Sequence, residues 1–126
     1  MTYIMQKEMD GLKKKLLSLA AIVEKSVQDA VKSLSDLDID RARKVIDNDE
    51  MIDQAEVALE EDCLKILALH QPVAIDLRFL VAVIKINNDL ERIADETVNI
   101  AQRIKTMVKD KPASVVFNYE PMISEV

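Results

Sequence analysis

The sequence predicts an all-α protein, an antiparallel up-down-up bundle of three helices. Three observations carry that expectation. Gly occurs once and Pro three times in 126 residues, while helix formers such as Leu, Ala, Lys and Glu abound. Apolar residues recur in steps of four and three along most of the chain, the period of a helix with one buried face. Only two strong interruptions, "SDLDID" at 35–40 and "HQP" at 70–72, break that rhythm.

Helix 1 is expected from about Thr2 to Leu34. Its seam is Met5, Met9, Leu12, Leu16, Leu19 and Val23, which reads as slipping by one residue at Ser26/Val27 and resuming with Val27, Ala30 and Leu34. "SDLDID" ends it, and Asp38 or Asp40 is placed to cap the next helix. Helix 2 then runs to about Leu69. Pro72 lacks a backbone donor and restricts Gln71, yet Pro suits the first turn of a new helix. Helix 3 continues to about Lys109. Its segment "FLVAVIKI" (79–86) is apolar nearly all round and is expected to be deeply buried. Helices of roughly 30 residues, about 45 Å each at 1.5 Å per residue, imply antiparallel neighbours when the joints are short. Residues 1–110 thus form one three-helix unit. Residues 111–126 form a linker or tail in which "EPMISEV" looks like the opening of a further, truncated repeat.

Charge and composition exclude several classes of function. A net charge of −6 argues against nucleic-acid binding, which needs a basic face to neutralise phosphates. The longest uncharged run, Ile66 to Ile75, is too short to span a bilayer, and the N-terminus gains charges before an apolar signal segment can form. The expectation is a soluble, intracellular protein with no membrane insertion. Cys63 is the one cysteine, so it reads as a small core thiol. A single His leaves no Ser/His/Asp or Cys/His set, and His70 is better placed as a cap or dipole partner at the end of helix 2. Glycine-rich phosphate loops are ruled out by the single Gly. Asp89 and Arg92 form an ordinary surface pair, and Asp76 is near enough to Arg78 for a local one.

The acid is unevenly spread. Between Val45 and Leu64 stand eight carboxylates and no Lys or Arg. The helix 2 lane Ala42, Ile46, Asp49, Asp53, Glu56, Glu60, Cys63, Leu67 is apolar at both ends and acidic in the middle. Helix 3 repeats this in Leu77, Val81, Ile84, Asn88, Glu91, Asp95, Val98, Gln102. Like charges at these spacings repel by a few tenths of a kcal/mol, roughly, per pair. Asp53 and Glu91 lie equally far from Pro72, and so do Asp49 and Asp95. An antiparallel pairing about that proline therefore brings Asp49, Asp53, Glu91 and Asp95 to one height, with Asn88 and Glu56 near. Oxygen-only ligands suit hard cations, or iron and manganese. A ferritin-like di-iron centre would add Glu-x-x-His on two helices, which one His cannot supply. The competing reading is a solvated face neutralised by Lys13, Lys14, Lys15 or Lys25. Against it, helix 3 already has a polar stripe in Arg78, Lys85, Asp89, Arg92, Glu96 and Arg103.

"QPVAIDLRFLVAVIKINNDLERIADETVNIAQRI" (71–104) resembles the PhoU family of helical regulators of phosphate uptake and phosphate signalling. "QPVAIDLR", "DLERIAD" and, on helix 2, "DNDEMIDQAE" carry the resemblance, which extends over nearly the whole chain. It implies two tandem three-helix repeats with D/E-x-x-x-D motifs that hold metal ions, here Asp49/Asp53 and Glu91/Asp95. The metal would be iron, manganese, zinc or magnesium. The resemblance also implies a cytoplasmic, non-enzymatic, often dimeric adaptor between the ATPase side of a phosphate ABC transporter and a sensor histidine kinase. Only one repeat is present here, so helix 3 is expected to leave apolar surface uncovered, giving either self-association or a marginal fold. Two other readings compete: a helical dimerisation module without ligand, and a carboxylate-metal enzyme.

Overall fold

The structure is a computed structural model that describes residues 3–110. It is all-α, with three helices: α1 Tyr3–Asp36, α2 Ile39–His70 and α3 Ala74–Asp110. The expected linker or second repeat at 111–126 lies outside the described residues. The chain divides into two compact units, and every helix contributes to both. The first unit takes the chain up to Val23 together with Met51–Arg92; the second takes Glu24–Glu50 and the chain from Ile93. The chain thus enters the second unit along α1, returns along α2 and enters it again along α3, an up-down-up path.

In the first unit the core is made of large side chains. Met5, Met9, Leu12, Leu16, Leu19 and Val23 of α1 are buried, with Ile52, Leu59, Cys63 and Ile66 of α2 and Leu80 and Val83 of α3. Each fully buried Leu, Ile or Met contributes roughly 1.5–3 kcal/mol from removal of apolar surface from water. In the second unit the core is smaller: Ala30, Ala42, Val45, Ala101 and Ile104 cluster, with Ile46 and Val108 against them.

Two expectations about burial fail. The α1 seam does not slip. It continues through half-buried Ser26, buried Ala30 and fully buried Ser33, while Leu34 stays 37% exposed. Ser33 meets its burial by donating its hydroxyl to the Ala30 carbonyl at 2.8 Å, so a small polar side chain occupies a core position that an apolar count passes over. Nor is 79–86 deeply buried: only Leu80 and Val83 are, and Val81 and Ile86 are 42% and 44% exposed. One face of α3 suffices for its neighbours, and the remaining apolar side chains are left on the surface.

The joint between α1 and α2 is compact. The Asp38 amide donates to the Ser33 carbonyl at 2.9 Å, and Leu37 takes a left-handed conformation, φ 52°, as the residue after a helix C-terminus does in a Schellman motif. Asp38 then starts α2, accepting the Arg41 amide on Oδ1 at 3.1 Å. It, not Asp40, is the cap.

Candidate metal centre

α2 and α3 carry the carboxylates that the sequence singled out. In the second unit, Asp49 on α2 and Asp95 on α3 each offer a carboxylate oxygen within 4.8 Å of the other. Asp53, one turn further along the unbroken α2, offers a third oxygen within the same limit. Asp49 is half-buried, whereas Asp53 and Asp95 are exposed. Glu91, one turn before Asp95 on α3, is exposed and does not belong to this group.

The spacing fits a hard cation. Oxygens that share an ion at 2.0–2.6 Å stand at most about 5 Å apart. Without a cation the arrangement is unfavourable, since two unit charges 4 Å apart repel by roughly 1 kcal/mol even in bulk water. The lysines of α1 offer little relief. Lys15 pairs with Asp62 and Lys25 with Asp29 at 4.0 Å, while Asp53 and Asp95 have no ion pair among the described residues. Exposure also shows that α3 carries two polar stripes. Asn88, Glu91 and Asp95 are exposed, as are Arg78, Lys85, Asp89, Arg92, Glu96 and Arg103.

Glu56 is the residue that the acidic-lane reading underweighted. It is only 4% exposed, beside Asn87 at 3%, and the Asn87 amide donates to the Glu56 backbone carbonyl at 2.9 Å. A signal for this existed. Ala42, Val45, Asp49, Ile52, Glu56, Leu59, Cys63 and Ile66 form an unbroken 3-4 seam, and Asp49 and Glu56 occupy core positions within it.

The remaining candidates have structural roles. His70 ends α2 with its Nε2 3.4 Å from a Glu8 carboxylate oxygen. Cys63 is fully buried, and burial, followed by the neighbouring Asp62 and Glu60 charges, pushes its thiol up to about 11, far from the range of a reactive thiolate. Asp89 and Arg92 pair at 3.4 Å on the surface. No helix among the described residues is long and apolar enough to cross a membrane.

Three long helices, with a group of carboxylates displayed by α2 and α3, define an all-α three-helix domain. Residues 16–104 match the PhoU domain, and the chain belongs to the PhoU family. It is 35% identical over 112 residues to a phosphate-specific transport system accessory protein PhoU homolog of Aquifex aeolicus, covering 89% of this chain and 51% of that protein. The Pseudomonas aeruginosa PhoU homolog is 42% identical over 96 residues, 76% of this chain and 40% of the relative. The Escherichia coli PhoU protein is 34% identical over 88 residues, 70% and 36% of the two chains. The chain therefore spans about half or less of the length of these relatives.

Proposed function

We propose that this chain acts as a regulatory adaptor of phosphate uptake and phosphate-starvation signalling, and that its carboxylates bind a metal ion. Asp49, Asp53 and Asp95 are the ligands, with Glu91 one turn away as an outer carboxylate that a second ion or a bridging water would reach. Iron, manganese, zinc and magnesium all suit such oxygens. The observation that supports the metal reading is the grouping of three carboxylate oxygens within 4.8 Å of one another. The relatives' role as accessory proteins of phosphate-specific transport supports the pathway. On this reading the protein is non-enzymatic and cytoplasmic, working at the inner face of the cell membrane. Its partners are the ATPase subunit of a phosphate ABC transporter and a sensor histidine kinase, and recognition lies in surface complementarity. Ile75, Val81, Ile86 and Ile93 of α3, each more than a third exposed, supply apolar surface for self-association.

Thermal melts with each metal added in turn test the site. A ligand at a hundred times its Kd stabilises the folded state by about 2.7 kcal/mol, so one of the four metals raises the midpoint well above that of the chelated protein. If all four leave it unchanged, the metal reading fails and a ligand-free helical module takes its place. Co-purification with the transporter ATPase subunit, and separately with the kinase, tests the adaptor reading, which absence of both partners would defeat.

A further inference from the structure

The outward face of α1 is basic, although the chain as a whole has a net charge of −6. Lys7, Lys14, Lys15 and Ser18 are exposed there around half-buried Gly11, and at 100° per residue these five fall within about a quarter to a third of the helix circumference. Ile4 and Ile22, 62% and 38% exposed, bracket them on the same side. A groove of about 280 Å³ adjoins the face, lined by Glu8, Gly11, Lys15, Asp62, Lys65 and Ile66 among others. Of its carboxylates, Asp62 pairs with Lys15, and Glu8 lies 3.4 Å from His70 Nε2. Lys7, Lys14 and Lys65 have no ion pair among the described residues, so the surplus charge is positive.

Gly11 is the chain's one glycine, and it sits inside a helix, where glycine is less stable than alanine. The packing of the described residues does not call for it. A Cβ built there meets no atom within 4 Å, and its φ is not positive. With Ser18 seven residues on, it leaves a shallow trough along the face.

We propose that this face docks an acidic amphipathic helix of a partner protein. The lysines supply charge complementarity. Ile4 and Ile22 stand about 27 Å apart along α1 at 1.5 Å per residue, the span of a five-turn helix, and offer an apolar contact near each end. Between them the trough lets a partner backbone come close, as small residues do where helices pack tightly. An anionic membrane is the poorer fit, because lying in a bilayer interface takes a continuous apolar face, and here the centre of the face is Gly and Lys. This surface shares no residue with the carboxylate group, so the test is run on the chelated protein.

The test uses the full chain and a labelled peptide of about 20 residues, with Leu on one face and Glu on the rest. Anisotropy is expected to show saturable binding that weakens with added salt, and no binding of the same peptide with Lys in place of Glu. Gly11→Leu is expected to weaken binding about tenfold or more while melting no lower than the parent, since its side chain enters open space; Lys7→Glu with Lys14→Glu gives a loss at least as large. The proposal is overturned if the acidic peptide does not bind at low salt, or if both variants bind it like the parent. It is equally overturned if phosphatidylserine vesicles bind the chain and displace the peptide.

Discussion

Asn87 on α3 donates its side-chain amide to the backbone carbonyl of Glu56 on α2, at 2.9 Å, with both residues buried. This contact sits on the core seams of both helices, so sliding α3 along α2 by one turn would break it. The Asn87 carbonyl oxygen, in contrast, is buried without a hydrogen-bond partner among the described residues. The two ends of one side chain therefore pull in opposite directions. Asn87→Ala loses the bond and leaves a void, and is expected to cost about 1–3 kcal/mol. Asn87→Leu loses the same bond but removes the unmet oxygen and fills the space, and is expected to stay within about 1 kcal/mol of the parent. Urea denaturation of both variants measures the difference. Equal losses would show that the hydrogen bond alone sets the effect.

The two helix joints call for opposite substitutions. Asp38 caps α2 through the Arg41 amide, so Asp38→Ala is expected to lower stability by about 1 kcal/mol. Gln71 is exposed and left-handed, φ 46°, with its amide on the Leu67 carbonyl at 3.1 Å. Left-handed backbone costs a non-glycine residue roughly 1–2 kcal/mol, so Gln71→Gly recovers part of this, up to about 1 kcal/mol after the entropy glycine adds to the unfolded chain. Thermal melts should move down for the first and up for the second. A fall for Gln71→Gly would mean that the side chain contributes more than the strain removes.

The three helices were legible because Pro72, the run from Ser35 to Asp40 and the four-three apolar rhythm are local signals. Burial was less so. Ser33 and Glu56 sit in the core although their types belong mostly outside, and Val81 and Ile86 stay on the surface although theirs belong inside. Which side of a helix meets a neighbour depends on all three helices at once, and a lane read from one helix does not contain that. The count from Pro72 matched Asp49 with Asp95, and these two do come together. The same count gave Glu91 equal standing with Asp53, but a residue's height along a helix leaves open which way its side chain turns.

Cys63 ties stability to alkaline pH. Its thiol titrates near 9.0 when unfolded and is pushed up to about 11 in the folded chain, so the folded state retains the proton more tightly. Between those values the unfolded state binds fewer protons, and stability falls as pH rises. The stabilisation is complete below pH 9 and lost through pH 11, with a size on the order of 2 kcal/mol. Cys63→Ala is expected to show a shallower decline than the parent across that window. Below pH 8, a thiol reagent should label the folded parent only as fast as it opens. Parallel declines of parent and variant would remove Cys63 as the cause.

Single neutralisations distinguish the carboxylates by their place in the group. Asp95→Asn removes one of three grouped oxygens, whereas Glu91→Gln changes a residue one turn outside them. In the metal-free protein, Asp95→Asn relieves like-charge repulsion and is expected to leave stability unchanged or raise it by a few tenths of a kcal/mol, roughly. In the metal-loaded protein it is expected to abolish the rise in melting midpoint, because two carboxylates on one helix cannot hold a hard cation as three on two helices do. Glu91→Gln should retain most of that rise if a single ion sits among Asp49, Asp53 and Asp95. If Glu91→Gln matches Asp95→Asn, more than one ion is bound and Glu91 is a direct ligand. If neither variant changes the response to metal, the ion is held elsewhere and the group is a solvated acidic face.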